Sequence, residues 1–174
     1  EGYLAAGTPE RALPHVAWLA AQAPEDAALL RHLADLYLWT DRPADAAEVL
    51  DRLVRVDPSD ADARLRLADL VMWTGGADRA LAVLAPLVDD RPDDPAVQKA
   101  FALALHAAGH EAEARRQYTR ALALLPDDAL LLLESGALER WGGDWEVGRR
   151  RLLRALQLDL DAAFGAGFRL AGHV

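Results

Sequence analysis

Proline recurs along this chain at a fixed interval of 34 residues. The series is Pro24, Pro58, Pro92 and Pro126. An aspartate follows each proline by two positions, which gives a second series with the same spacing: Asp26, Asp60, Asp94 and Asp128. A fixed period of about 20–50 residues indicates an array of similar units that stack on one another, rather than one globular core.

Each period contains two amphipathic segments. In Leu29–Trp39 and Ala44–Val56 apolar residues recur at i, i+3, i+4 and i+7, the spacing of a helix with one buried face. We call the first helix of a unit helix A and the second helix B. With Ala27 as the first position, the chain is a single array with four full units at 27–60, 61–94, 95–128 and 129–162, a partial unit at 1–26, and the start of a further helix at 163–174.

The marker residues have local roles that fit this division. The aspartates precede helix A, where a carboxylate accepts hydrogen bonds from unpaired N–H groups, and the prolines end the preceding helix B. Small residues recur where two helices must cross closely. In helix A these are Ala34, Ala68, Ala102 and Gly136, and in helix B they are Ala12, Ala46, Ala80, Ala114 and Gly148.

These features together resemble the tetratricopeptide repeat family over nearly the whole chain. The resemblance implies an all-α, right-handed α-solenoid with helices A on the concave face and helices B outside. The chain departs from the family pattern in places: the family's helix-A tyrosine survives as Tyr37 but is replaced by Glu139 in the last unit, and Leu160 replaces the expected proline.

Composition narrows the function classes. The formal net charge is −9, which repels phosphate backbones and predicts no nucleic-acid partner. There is no cysteine and no apolar run long enough to span a bilayer, so we expect no membrane insertion here. The chain opens within a repeat, and we expect it to be part of a longer protein. Unpaired terminal half-repeats predict that end-to-end self-stacking is possible.

No residue pattern indicates catalysis, and we predict that this is not an enzyme and has no cofactor. His106 and His110 have helical metal-ligand spacing, but Gly109 places a helix end between them. Asp57, Asp60 and Asp62 resemble half of a calcium loop but lack its glycine and distal glutamate. We therefore predict no metal site.

The family resemblance implies a partner-binding groove lined by helix-A side chains. The candidate groove residues are Arg31, Asp35, Trp39, Asp62, Asp69, Met72, Trp73, Lys99, His106, Arg140 and Trp141. Three carboxylates and two tryptophans in the first two units favour a cationic partner, because indole faces attract cations. The alternative is that the tryptophans pack against neighbouring repeats and serve the core.

The resulting hypothesis is a scaffold that binds a protein partner with a basic surface. The segments LYLWTDRPADA and LVMWTGGADRA also resemble the repeat regions of bacterial exopolysaccharide exporters such as the Pel system. That resemblance implies a periplasmic scaffold that recruits a modifying enzyme or guides a cationic polysaccharide. Two alternatives remain open: a direct carbohydrate-binding module, and a regulatory domain of a larger cytoplasmic enzyme.

Overall fold

The computed structural model describes the backbone of residues 9–171 and the side chains of residues 9–159. Within these bounds the chain forms nine α-helices and no strand, so the predicted all-α solenoid class is confirmed. The helices are α1 Pro9–Gln22, α2 Ala27–Trp39, α3 Pro43–Val56, α4 Ala61–Trp73, α5 Ala77–Asp90, α6 Pro95–Ala107, α7 Glu111–Leu124, α8 Ala129–Gly142 and α9 Trp145–Ala171. Helices A (α2, α4, α6, α8) and helices B (α3, α5, α7, α9) each begin every 34 residues.

The predicted aspartate caps are present at the start of every helix A. In each case a side-chain oxygen of the aspartate accepts one or two hydrogen bonds from backbone N–H groups in the first turn of the helix. At Asp26 the Oδ1 atom lies 2.9 Å from the nitrogen of Ala28 and 3.0 Å from that of Leu29. Each cap satisfies N–H groups that the helix itself leaves unpaired, which accounts for the aspartate series.

The chain divides into two compact units, Glu1–Leu87 and Val88–Val174. In the N-terminal unit α1 packs on α2, α2 on α3, and α3 on α4. In the C-terminal unit α6 packs on α7, α7 on α8, and α8 on α9. In each of these pairs the two helices are also adjacent in sequence, which is the arrangement expected of stacked helical repeats.

Small residues lie where helices A and B cross. Ala34 and Ala46 are fully buried in the first full repeat. In the last repeat both crossing positions are glycine. A Cβ atom added at Gly148 would lie 2.9 Å from the backbone oxygen of Gly136, so these two helices touch through their backbones.

The last helix differs from the predicted boundary. The repeat pattern predicts that a further helix starts at 163, whereas the backbone of α9 stays helical from Trp145 to Ala171. Leu160 stands where the other repeats have proline and, unlike proline, it retains the N–H group that a continuing helix needs. Residues 1–8, which form the beginning of the predicted partial unit 1–26, lie outside the described residues. No helix in the described part of the chain combines the length and apolar character of a membrane span.

Candidate functional site

Three predicted groove tryptophans lie at the ends of helices A, and all three are exposed. Trp39 and Trp73 are the last residues of α2 and α4, and Trp141 is the penultimate residue of α8. Their exposed fractions are 63%, 84% and 82%. An indole with most of its surface in water contributes little to the core, and its faces are open to apolar and cationic groups.

A cleft of about 470 Å³ lies beside Trp73 in the N-terminal unit. Its walls come from the start of α3, the end of α4 and Arg79 of α5, and most of the side chains that line it are apolar. Glu48 places a carboxylate in the cleft, while Arg79 pairs with Asp51 at 2.8 Å. The cleft thus offers an indole, an apolar wall and one side chain of each charge, of which Arg79 is already paired with Asp51. Met72, the other predicted residue here, is half-buried.

The predicted acidic character of the N-terminal half is offset by Arg66, an arginine that is not among the predicted groove residues. Arg66 on α4 lies 2.5 Å from Asp35 on α2 and 3.6 Å from Asp62. The Asp35 side chain is 30% exposed and that of Asp62 is 70% exposed, and Asp69 is exposed as well. The helix-A face of this unit therefore carries mixed charge, with Asp62 and Asp69 as its accessible carboxylates.

Two predicted groove cations connect successive repeats. Arg31 lies 2.5 Å from Asp60, and Lys99 lies 2.6 Å from Asp128; each aspartate is the cap of the next helix A. Burial alone would raise the pKa of both carboxyls. In Asp60 the hydrogen bonds from the Ala63 N–H and from Arg31 outweigh burial, and in Asp128 those from Lys99 and from the Leu131 N–H do so. The pKa of each aspartate is thus held below its usual value.

His106 takes part in a contact among three helices of the C-terminal unit. Its Nδ1 atom is hydrogen-bonded to the Tyr118 hydroxyl at 2.9 Å and lies 3.5 Å from Glu134 Oε2. Tyr118 is fully buried, and burial, with a further contribution from the charge of Glu134, raises its pKa. His106 on α6 therefore contacts both α7 and α8. The part of the chain that the structure describes has no cluster of three metal-ligating side chains.

Arg140 and Trp141 belong to an aromatic cluster at the turn between α8 and α9. The guanidinium carbon of Arg140 lies 5.3 Å from the ring centroid of Trp141 and 6.0 Å from that of Trp145. Trp145, which is not among the predicted groove residues, is the first residue of α9 and is 54% exposed. The sequence signal that could have identified Trp145 is its position four residues after Trp141 and two residues after the Gly142–Gly143 pair.

Comparison with known proteins identifies the family. The family model described as tetratricopeptide repeat matches residues 3–62 and 44–104, which together cover more than half of the chain. The chain therefore belongs to the tetratricopeptide repeat family. No curated protein matches the sequence.

Solved structures share this fold at low sequence identity. A double mutant of MamA RS-1 has a TM-score of 0.80 and 19% identity, covering 91% of this chain and 89% of that chain. MamA from Desulfovibrio magneticus RS-1 has a TM-score of 0.78 and 19% identity, with coverage of 91% and 89%. YrrB, described as a TPR protein with an unusual peptide-binding site, has a TM-score of 0.78 and 17% identity, with coverage of 95% and 85%.

Proposed function

We propose that this chain is a protein-interaction scaffold that binds a segment of a partner through the exposed face and ends of its helices A. The observation that carries this proposal is the exposure of Trp39 and Trp73 at equivalent positions of successive repeats. Membership of the tetratricopeptide repeat family supports it, as does the peptide-binding site attributed to the structural neighbour YrrB. The mechanism is recognition without chemistry.

The N-terminal unit fits a basic, partly apolar segment. Asp62 and Asp69 are exposed on its helix-A face, and Glu48 lies in the cleft beside Trp73. An indole face and a Lys or Arg side chain attract one another by roughly 0.5–2 kcal/mol, depending on how far water is excluded. Arg66 lies closer to Asp35 than to Asp62, and the exposed carboxylates of Asp62 and Asp69 are the groups on this face that a cation of the partner can reach.

Calorimetric titration with an eight-residue peptide of alternating Leu and Lys tests the proposal, with a Leu and Glu peptide as the charge control. Trp73→Ala removes the more exposed of the two indoles and should weaken binding about five- to tenfold, as loss of an aromatic anchor does. The matched control is Trp18→Ala, because Trp18 on α1 is 63% exposed, as Trp39 is, but does not end a helix A. Its affinity should stay within about twofold of the parent chain.

Charge should act mainly on the encounter of the two molecules. The double change Asp62→Asn and Asp69→Asn should slow association more than it speeds dissociation, because exposed charges steer approach. Stopped-flow kinetics at two salt concentrations measures this. Equal affinity for the Lys and Glu peptides, or equal losses in Trp73→Ala and Trp18→Ala, would contradict the proposal.

Within this scaffold role we propose a place in bacterial exopolysaccharide secretion, in the periplasm, where the array recruits a modifying enzyme or guides a cationic polymer. Exposed indoles beside carboxylates suit an amino sugar, and the two Trp-Thr segments give the sequence resemblance. Glucosamine hexamer should bind and N-acetylglucosamine hexamer should not, and fractionation of cells expressing the native protein should place it in the periplasm. Equal binding of both sugars would favour the carbohydrate-module alternative instead.

A further inference from the structure

The cluster of Arg140, Trp141 and Trp145 has the opposite polarity to the surface proposed for the N-terminal unit. Arg140 is exposed and its guanidinium group lies against two indoles that are themselves 82% and 54% exposed. Among the described residues, no carboxylate or carbonyl oxygen accepts a hydrogen bond from this guanidinium. An arginine held by ring faces keeps its in-plane N–H donors available for an oxygen ligand.

The acidic side chains nearest in sequence are already engaged. Glu139 lies 3.7 Å from Arg115 and 3.6 Å from Arg151, and its Oε2 accepts a hydrogen bond from the N–H of Asp144. Glu146 pairs with Arg149 at 3.0 Å. Within the part of the chain whose side chains are described, these pairs leave the charge of Arg140 without a carboxylate partner, although the net charge of the chain is strongly negative.

The turn that carries the cluster is held by specific hydrogen bonds. Asp144 accepts from the N–H groups of Glu146 and Val147 and so caps the start of α9, where Trp145 is the first residue. The Glu139 contact with the Asp144 N–H fixes the other side of the turn. The two indoles and the guanidinium are thus attached to helix ends that are tied together, which reduces the ordering cost of binding a ligand.

We propose that Arg140, Trp141 and Trp145 form a recognition site for a carboxylate side chain in an acidic, partly apolar peptide segment. A carboxylate accepts two parallel N–H donors from a guanidinium, and this bidentate geometry favours it over a single-point acceptor. The flanking indoles cover the apolar residues next to the acid. The site is separate from the surface proposed for the N-terminal unit and does not depend on it, since it selects the opposite charge.

The experiment follows the indole N–H signals of the full chain by NMR while an acetylated and amidated Leu-Asp-Glu-Leu peptide is added. The signals of Trp141 and Trp145, assigned with single substitutions, should shift, while that of Trp18 should stay in place. Arg140→Gln should reduce the affinity about five- to tenfold. The matched control is Arg150→Gln, which removes an exposed arginine of α9 that donates to the Glu146 carbonyl and contacts no ring; its affinity should change less than about twofold.

Two further probes test whether the site selects a peptide carboxylate rather than any polar peptide or any anion. The corresponding Leu-Asn-Gln-Leu peptide should bind at least about fivefold more weakly, because it lacks the charge. Inorganic phosphate should displace the acidic peptide only weakly. Equal losses in Arg140→Gln and Arg150→Gln, equal binding of the amide peptide, or efficient displacement by phosphate would each overturn the assignment. Failure of the Lys peptide to bind the N-terminal unit would leave this result unaffected, because the probes and variants differ.

Discussion

The first full repeat, 27–60, and the last, 129–162, have the same helix register. They differ in the side-chain contacts that stabilise the turn between helix A and helix B. In the first repeat Asp41 takes a left-handed backbone conformation with φ 55°, and the Arg42 guanidinium carbon lies 4.7 Å from the Tyr37 ring. In the last repeat Glu139 replaces that tyrosine and pairs with Arg115 and Arg151. The same position of helix A, close to the turn, is thus occupied by an aromatic ring in one repeat and by a carboxylate in the other.

The two repeats also differ at the crossing of their helices. Alanines at 34 and 46 are replaced by Gly136 and Gly148, and the helices of the last repeat meet backbone to backbone. The comparison teaches that the helical register is set by caps and small residues, while each turn is stabilised by its own local contacts. Each of the following predictions tests one part of this difference.

The largest effect should come from Gly148→Ala. Its Cβ would lie 2.9 Å from the backbone oxygen of Gly136 and 3.0 Å from the backbone nitrogen of Arg140, and backbone atoms cannot move aside cheaply. We expect a loss of about 2–3 kcal/mol in the free energy of unfolding, measured by urea denaturation. The reciprocal change Ala46→Gly should cost only about 1 kcal/mol, from chain entropy and a lost methyl group. Equal costs would remove the distinction between the two crossings.

Glu139→Gln should have the next largest effect. The Glu139 side chain is 12% exposed, and its neutralisation removes the counter-charge of the largely buried Arg151 guanidinium. Arg115, also largely buried, then keeps only its pair with the exposed Glu111. We expect a loss of about 2 kcal/mol. Glu111→Gln is the control, because Glu111 pairs with the same Arg115 at 3.4 Å but is 61% exposed; it should cost less than about 0.5 kcal/mol. Both variants are compared by thermal melting. Equal losses of melting temperature would show that burial of the carboxylate is unimportant.

Asp41→Gly should stabilise the first repeat. Asp41 is the one described non-glycine residue with a positive φ, and Gly75 and Gly109 occupy the same position in the next two repeats. Glycine adopts this conformation without strain, so we expect a gain of about 0.5–1 kcal/mol in urea denaturation. Gly109→Ala, at φ 76° with open space around its Cβ, should lose about 1 kcal/mol. A loss on Asp41→Gly would mean that the aspartate stabilises the turn in another way.

The smallest effect should come from Asp60→Asn compared with Asp26→Asn. Asparagine caps a helix about as well as aspartate, so the difference isolates the Arg31 ion pair, which should contribute about 0.5 kcal/mol. Because the pKa of folded Asp60 is held below its value in the unfolded chain, this contribution is present at neutral pH. It should disappear as the pH falls below about 4 and the carboxylate is protonated. A difference that does not shrink as the pH falls would assign it to something other than charge.

The features that sequence reasoning predicted are those that each repeat determines locally. The aspartates after each proline cap their own helices, and a glycine or alanine at a crossing is needed whatever the neighbouring repeat contains. The period, the amphipathic spacing and the family resemblance together predicted the fold, and the aspartates predicted where each helix A begins.

The features that it missed depend on contacts between residues distant in sequence. Arg66 pairs with Asp35 of the preceding repeat, 31 residues away in sequence, and nothing in the local pattern selects that partner over Asp62. Arg140 contacts Trp145 through the geometry of one turn. The helix α9 continues because Leu160 replaces the proline that ends helix B in the other repeats. The replacement is visible in the sequence, but the 34-residue period predicted a helix end there.

The central claim is that the tryptophans at the ends of helices A face a ligand rather than the core. The most direct test records the indole N–H signals of the full chain during titration with the Leu and Lys peptide. The signals of Trp39 and Trp73 should shift together with one affinity, and that of Trp18, as exposed as Trp39, should remain in place. Shifts of equal size at Trp18, or none at Trp39 and Trp73 when calorimetry detects binding, would contradict the claim.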